Sequence, residues 1–455
     1  MVNQWAARLF AASWLKTAVY MAEAAGPSTG DAAPAPPAKR RGGLLRVLGT
    51  GIITGAADDD PSAIGTYASA GAKFGLGFLW IAPLLLPMMF VVTYLAAKLG
   101  RVYGKGLFAA VRDQYPPWLL YPLMLAAFTG NVIEASANLG GVGAAIHLLM
   151  PLPVPAIVTL VAAMVILFQL IGSYALLRRI FRWLTLALFA YVAAAVMAGP
   201  DWMKVARATV SPNVRFSSDF LAMVVACIGT SLSAYVYTWQ SNQEVEEQID
   251  EGKRTARERR GASRRELALA RRDVMVGIIF ANIILYFIIL STATALNGRG
   301  MTQIDDAAQA AQALEPLAGA GAKWLFALGV VGVGLLAVPV MTTGAAYDLV
   351  QGLGRKGTLH DRPGEAKLFH AVILLVTAVA VALNFLGFNP MRALVLSGIV
   401  QGFSVPPLLF MMMLMTSKRQ MMGARRNSLL LNVLGWATTV VTAAATLCLV
   451  ASWLQ

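Results

Sequence analysis

Residues 54 to 66 read Thr54-Gly55-Ala56-Ala57-Asp58-Asp59-Asp60-Pro61-Ser62-Ala63-Ile64-Gly65-Thr66, and they lie inside an apolar run from about 44 to 72. Three consecutive carboxylates in the middle of a span cannot all face lipid, because charge there is costly. Pro61 removes a backbone donor and disfavours helix at Asp60, and Gly55 and Gly65 flank the stretch. The expected product is an unwound segment with freed carbonyls beside carboxylates, the way discontinuous membrane helices build a cation site. The plainer alternative is a proline kink whose acids hydrogen-bond to neighbouring helices. Mid-membrane acids usually mark ion paths, which favours the first reading.

The surrounding composition supports a lipid setting. The chain has 455 residues, 58% of them hydrophobic and 13% charged, where a soluble domain carries about 25% charge. Apolar runs imply eleven spans, at about 44–72, 76–98, 118–149, 153–175, 182–199, 219–240, 273–297, 322–352, 368–387, 392–416 and 429–453. A span needs roughly 17 to 25 residues, so the longer runs tilt, break or project into water. Helices are required, since backbone groups in hydrocarbon must be satisfied internally, and the alternating pattern of an outer-membrane barrel is absent. The fold class is therefore an all-α polytopic membrane protein.

The net charge of +14 follows from topology rather than from nucleic-acid binding. With the N-terminus placed in the cytoplasm, most of the 37 Lys and Arg fall on the cytoplasmic side. Residues 253 to 272 hold nine of them, and Arg178-Arg179-Phe181-Arg182, Lys418-Arg419 and Arg425-Arg426 add to the same side. The C-terminus, after an odd number of spans, then faces outward. Residues 1–43 read as a disordered cytoplasmic segment without a clear cleavage site; 4–22 is apolar all round the wheel, and 25–42 is an Ala-Pro-rich linker. The stretch from Gln243 to Arg272 begins acidic and ends basic, which suits a short cytoplasmic helix. Cys227 and Cys448 lack metal-ligand spacing, and His147, His360 and His370 are scattered, so neither a disulfide framework nor a histidine metal site is expected.

The sixth span carries Cys227-Ile228-Gly229-Thr230-Ser231-Leu232-Ser233-Ala234-Tyr235, at a depth like that of Asp60. Ser and Thr often serve ordinary packing. If spans one to five and six to ten are inverted repeats, however, spans one and six are equivalent and both are interrupted, which points to a central site. Asn131, Glu134 and Asn138 share a face of the third span, and Asn282, Asn384 and Gln401 are polar groups in later spans. Each of these suits a packing hydrogen bond better than a ligand role, Glu134 least so.

These motifs together resemble the Nramp family of divalent-metal transporters. The resemblance covers nearly all of 44–416. It rests on Asp60-Pro61-Ser62-Ala63 in place of the family's Asp-Pro-Gly-Asn, followed by Gly65-Thr66-Tyr67-Ala68-Ser69-Ala70-Gly71-Ala72. It rests also on Tyr237-Thr238-Trp239-Gln240-Ser241-Asn242-Gln243-Glu244-Val245-Glu246-Glu247, on Arg272-Asp273-Val274-Met275-Val276-Gly277 and on Gly334-Leu335-Leu336-Ala337-Val338-Pro339-Val340. The resemblance implies the leucine-transporter fold: two inverted five-helix repeats, about 44–199 and 219–416, plus an extra helix at 429–453. The whole transporter domain is then 44–453.

It also implies a metal site at Asp60, with carbonyl donors at Ala57 and Thr230, the family's Asn replaced by Ala63 and its Met by Ser233. Asp58, Asp59, Glu134, Tyr235 and Gln401 would stand behind it. Loss of the sulfur and the amide leaves oxygen donors, which suit Mg²⁺, Ca²⁺ or Mn²⁺. The smaller side chains leave room for an ion that keeps part of its water, as Mg²⁺ tends to. The pattern resembles the Nramp-related magnesium transporters. Family members that co-transport protons carry third-span acids where this chain has Asn131, Asn138 and Gly141, and a sixth-span His where it has Tyr235, so the resemblance implies weak or absent coupling.

The expected protein is thus an inner-membrane importer of Mg²⁺ and Mn²⁺, with no cofactor, no enzymatic activity and no nucleic-acid partner. Its partners are the metal ion and the bilayer. The rivals are a proton-coupled Mn²⁺/Fe²⁺ transporter, a Na⁺-coupled amino-acid symporter of the same fold, and a non-transporting membrane sensor or scaffold. Three acids would repel an amino-acid carboxylate, and the small loops leave no output domain. No nucleophile–base pair suggests an intramembrane enzyme.

Overall fold

A computed structural model describes residues 58–170, 185–359, 361 and 364–454. The expected N-terminal segment, the start of the first span with Ala57, and the cluster from Arg178 to Arg182 lie outside them. The elements among the described residues are all helical. Those the site depends on are α1 (Pro61–Phe74), α2 (Ile81–Tyr103), α3 (Pro117–His147), α4 (Val154–Leu170), α5 (Phe189–Met197), α6 (Ser218–Ser231) and α7 (Ala234–Asp250). They continue with α8 (Arg264–Ala295), α9 (Ala322–Gly352), α10 (Lys367–Asn384), α11 (Pro390–Ser417) and α12 (Leu429–Trp453).

Eight helices among the described residues are long and apolar enough to cross a membrane, counting α6 and α7 as one span. They answer to the second, third and sixth to eleventh expected spans. The first, fourth and fifth are seen in part, as α1, α4 and α5.

Both expected interruptions are present. Asp60 is extended and caps α1, its Oδ1 accepting from the Ala63 N–H at 2.7 Å, with Pro61 at the first helical position. Proline is at home there, because that N–H has no intrahelical partner. The sixth span stops at Ser231 and restarts at Ala234, with Leu232 and Ser233 out of helical register. No proline forces this second break. It is stabilised by side chains: the Ser233 hydroxyl reaches back to the Gly229 and Thr230 carbonyls at 2.8 and 3.2 Å, and Gln401 Oε1 accepts from the Ala234 N–H at 3.2 Å. These bonds satisfy groups that a broken helix would leave bare in a dry interior.

The acidic-then-basic stretch after Gln243 corrects its expectation. It forms no helix of its own. Its acids from Glu244 to Asp250 end α7, Lys253 to Arg260 lie in the non-helical connection, and Arg264, Arg265, Arg271 and Arg272 belong to α8, which opens behind a Ser263–Glu266 capping box. Acids at a helix C-terminus oppose the dipole. Arg101 of α2 offsets this: its guanidinium meets Glu244 at 2.7 Å, Glu251 at 3.6 Å and Glu247 more closely still, and its side chain is 8% exposed.

α3 packs against α9 and α11, α6 against α11 and α12, and α8 against α1 and α2. Lipid offers little hydrophobic drive between helices, so small residues at the crossings carry the packing. Gly229 of α6 lies on the backbone of α11 between Gly398 and Gly402. A Cβ there would overlap the Gly398 carbonyl and the Gly402 N–H, and would stand 2.9 Å from the Gly402 Cα. α12 sits at the edge, with Val433, Val440 and Leu447 exposed, as a lipid-facing helix should. Both cysteines are free, Cys227 buried and Cys448 exposed. Asn282 and Asn384 serve packing as expected, donating to the Ala82 and Ser136 carbonyls.

Gly229→Ala should therefore force α6 from α11, at an overpacking cost of about 1–3 kcal/mol. Its thermal midpoint in detergent is expected to fall below wild type, while Gly298→Ala, whose added methyl meets only the Ala293 carbonyl at 3.9 Å, stays close to it. Equal midpoints for the two variants would disprove the close contact.

Candidate functional site

The two breaks meet, and α3 and α11 close the space between them. Asp60 is fully buried. Its Oδ1 accepts from the Ser62 hydroxyl at 2.7 Å as well as from the Ala63 N–H, and its Oδ2 accepts from Asn138 Nδ2 at 3.1 Å. Ser62 is the junction. Its hydroxyl also lies 2.9 Å from Thr230 Oγ1 and 3.3 Å from Glu134 Oε1, and its N–H donates to Asn138 Oδ1 at 2.8 Å. Glu134 accepts in addition from Ser233 Oγ at 2.8 Å and from Gln401 Nε2 at 2.7 Å. Two carboxylates, three hydroxyls and two amides from five helices thus form one network.

Its electrostatics are one-sided. Asp58, Asp59, Asp60 and Glu134 are all buried. Among the described residues none of the four has a Lys, Arg or His within ion-pair distance. Among the described residues Asp58 Oδ1 and Asp59 Oδ2 have no hydrogen-bond partner. The N-terminal ends of α1 and α7 both open here, so their positive dipole ends offset part of this charge, and the C-terminal end of α6 brings its negative end beside them. What remains is a buried polar centre of negative potential, which suits a cation.

The sequence-predicted residues fare unevenly. Asp60, Thr230, Ser233, Glu134 and Gln401 come together, and Glu134 and Gln401 stand in the network itself rather than behind it. Their bond to each other joins α3 to α11, as the packing role expected for them requires. Ala63 contributes only its backbone N–H, to Asp60. Tyr235 is buried beside Gly344 of α9. Ala57 lies outside the described residues. Among the described residues no three His, Cys, Asp or Glu side chains are grouped to hold a metal, so an ion here would also need hydroxyl, amide, carbonyl or water oxygens.

Sequence reasoning missed three contributors. Ser62 stood inside the deciding motif but was passed over as the replacement of a glycine. Met341 of α9 places its sulfur 3.1 Å from Asn138 Nδ2, the same nitrogen that holds Asp60. Asp348, further along α9, accepts from Asn131 Nδ2 at 2.8 Å and Thr238 Oγ1 at 2.6 Å. Asp348 was detectable by the criterion that found Asp60, an acid inside an apolar span.

Broken helices around a buried polar centre define a membrane transporter. The chain belongs to the Nramp family, whose model, "Natural resistance-associated macrophage protein-like", matches residues 51–452. It is accordingly a multi-pass membrane transporter and not an enzyme. It is similar to the "Divalent metal cation transporter MntH" of Deinococcus radiodurans, 28% identical over 406 residues and 88% of each chain. It is also similar to the protein of that name from Pectobacterium carotovorum, 27% identical over 371 residues, 79% of this chain and 83% of the relative. The fold is shared with the Eremococcus coleocola manganese transporter (TM-score 0.68, 16% identity, 90% of this chain and 86% of the other). It is shared also with Mhp1, a nucleobase-cation-symport-1 family transporter (TM-score 0.54, 12% identity, 89% and 92%).

Asn138 fixes Asp60 and the Ser62 backbone at once, and hydrogen bonds to charged groups are each worth about 1.5–3 kcal/mol. Asn138→Ala is expected to lower the thermal midpoint and to weaken divalent-cation binding at least roughly tenfold, the latter read by titration calorimetry with Mn²⁺ below the variant's melting range. Unchanged affinity would reduce the amide to a packing role.

Proposed function

We propose that this chain imports divalent cations, Mg²⁺ and Mn²⁺, by alternating access around Asp60. The observation that carries this reading is the buried carboxylate at two helix breaks, hydrogen-bonded by a hydroxyl and by amide and backbone N–H groups and lacking any basic partner among the described residues. Asp60 is the principal ligand, direct or through water. Thr230 and Ser233 supply oxygens from the facing break, and the Ala57 and Thr230 carbonyls complete the set. The Ser62 hydroxyl occupies the neighbourhood vacated by the family's amide, where this chain has Ala63. Asp58 and Asp59 hold the potential negative.

An oxygen site without an inward thioether takes hard cations well. The Met341 sulfur is engaged by the Asn138 amide and so does not replace the sulfur absent at Ser233. Mg²⁺ gives up its water reluctantly, and the small side chains at Ala63 and Ser233 suit an ion that keeps part of its shell. The names of the relatives, as divalent metal cation and manganese transporters, support the ion class. In this reading the inverted repeats are about 44–199 and 219–416 with α12 added, the N-terminus is cytoplasmic, the C-terminus is outside, and the membrane is the inner one. The membrane potential supplies about 2.3 kcal/mol per charge per 100 mV, doubled for a divalent ion.

A second reading, proton-coupled Mn²⁺/Fe²⁺ transport, is favoured by one observation: Glu134 shares Ser62 with Asp60. Proteoliposome flux separates the two. Uptake of Mg²⁺ and Mn²⁺ exceeding that of Ca²⁺, lost in Asp60→Ala and without internal acidification, is the expected result. Absence of Mg²⁺ flux would sink the first reading. Metal-driven acidification abolished in Glu134→Gln would establish the second.

A further inference from the structure

One nitrogen of Asn138 serves two unlike partners. Its Nδ2 donates to Asp60 Oδ2 at 3.1 Å and to the Met341 sulfur, also at 3.1 Å. Its Oδ1 accepts from the Ser62 N–H at 2.8 Å. A backbone N–H can only donate, so the amide cannot be turned end for end without losing that bond. Both protons of Nδ2 are thereby assigned, one to the carboxylate and one to the thioether. Asn138 and Met341 are fully buried. The amide thus stands between the sulfur and the acid and occupies the sulfur as an acceptor.

The sulfur is close enough to matter. It and Asp60 Oδ2 are no further apart than twice that distance, because both meet the same nitrogen. A cation shared by a carboxylate oxygen and a sulfur lies about 2 to 2.5 Å from each, so the two need to approach by no more than about 2 Å to hold one ion. The backbone of α9 is fixed here. Thr342 Oγ1 donates to the Val338 and Pro339 carbonyls at 3.1 and 3.2 Å, and Gln169 of α4 donates to the Pro339 carbonyl at 3.3 Å and to Thr342 Oγ1 at 3.0 Å. Methionine has three rotatable side-chain bonds and can advance without that backbone. On its other sides Met341 belongs to a buried apolar cluster with Ala135, Leu139 and Val338. Its polar restraint is the amide.

A thioether within reach of an oxygen site changes what the site prefers. Sulfur favours soft ions, whereas carboxylate, hydroxyl and water favour Mg²⁺, Ca²⁺ and Mn²⁺. We propose that Asn138 is a specificity-determining residue, keeping the site at Asp60 selective for hard cations by holding the Met341 sulfur away from the bound ion. It acts through Asp60 and Met341 and needs no bond to the ion itself. The proposal rests on reading Asp60 as the cation ligand. The competing account is that the Asn138–Met341 contact is packing alone.

Titration calorimetry with Mn²⁺ and with Cd²⁺, each as the sole added divalent ion, on the full chain in detergent and below each variant's melting range, gives the ratio of the two affinities. A general loss of structure weakens both ions and leaves that ratio in place. Asn138→Ala releases the sulfur and is expected to move the ratio toward Cd²⁺ roughly tenfold, beyond its loss of Mn²⁺ affinity. Asn138→Ser, which removes the amide but keeps a short polar group, should move it the same way. Met341→Leu alone should leave the ratio at its wild-type value, and Asn138→Ala/Met341→Leu should restore it. A ratio unmoved in both Asn138 variants, a gain that survives in the double variant, or a shift in Met341→Leu alone overturns the proposal. A wild-type chain that binds no Mn²⁺ defeats the carrier reading and the proposal together. Normal wild-type binding with an unmoved ratio defeats only the role given to Asn138.

Discussion

Negative charge buried at two helix breaks is the constraint from which the rest of the structure follows. Four acids around the centre of an apolar bundle are tolerable only if the surroundings supply positive potential. Helix ends, hydroxyls and amides do so here, since no Lys, Arg or His among the described residues does. The breaks are needed because a continuous helix keeps its N–H groups to itself. Opening α1 at Asp60 turns the Ala63 N–H to the carboxylate, and opening α7 at Ser233 turns the Ala234 N–H to Gln401, which donates in turn to Glu134. Gln401 and Asn138, from helices outside the breaks, lock the arrangement by bonding backbone and carboxylate together.

Much of this was legible in the sequence, because local covalent rules govern it. Pro61 after three acids marks a capped helix start, and glycine and hydroxyl residues in the sixth span mark the second break. Apolar run length gives the spans, and α3, α9, α10, α11 and α12 begin and end within three residues of their expected limits. The expectation failed where a partner comes from a distant helix. The acids at the end of α7 look unpaired along the chain, and their partner Arg101 is more than 140 residues away. Glu134 and Gln401 were placed on the correct spans, yet their roles depend on how those helices are turned about their axes. Hydrophobic periodicity does not report that angle when a helix is apolar nearly all round, as α3 is.

The central site also shows how a lost ligand need not leave a hole. The family's amide is absent at Ala63, but the neighbouring Ser62 hydroxyl reaches Asp60, Glu134 and Thr230. The sulfur absent from the sixth span has a counterpart on α9 that meets an amide instead. The sulfur thus stays outside the polar centre, while a hydroxyl one residue before Ala63 stands within it.

The glycine contact between α6 and α11 carries a mechanical consequence. Two backbones touching at Gly229, Gly398 and Gly402 cannot slide past one another, so these helices form one stiff plank. α7 is clamped to a different plank, α2, where Ser241 abuts Gly100 and the Arg101 cluster rivets the far end. Leu232 and Ser233 are the short strip of chain joining the two. A rocking motion between the planks would bend at that strip, and the hydroxyl of Ser233, bonded to Glu134 on one side and to the Gly229 carbonyl on the other, would register every swing at the ion's own seat.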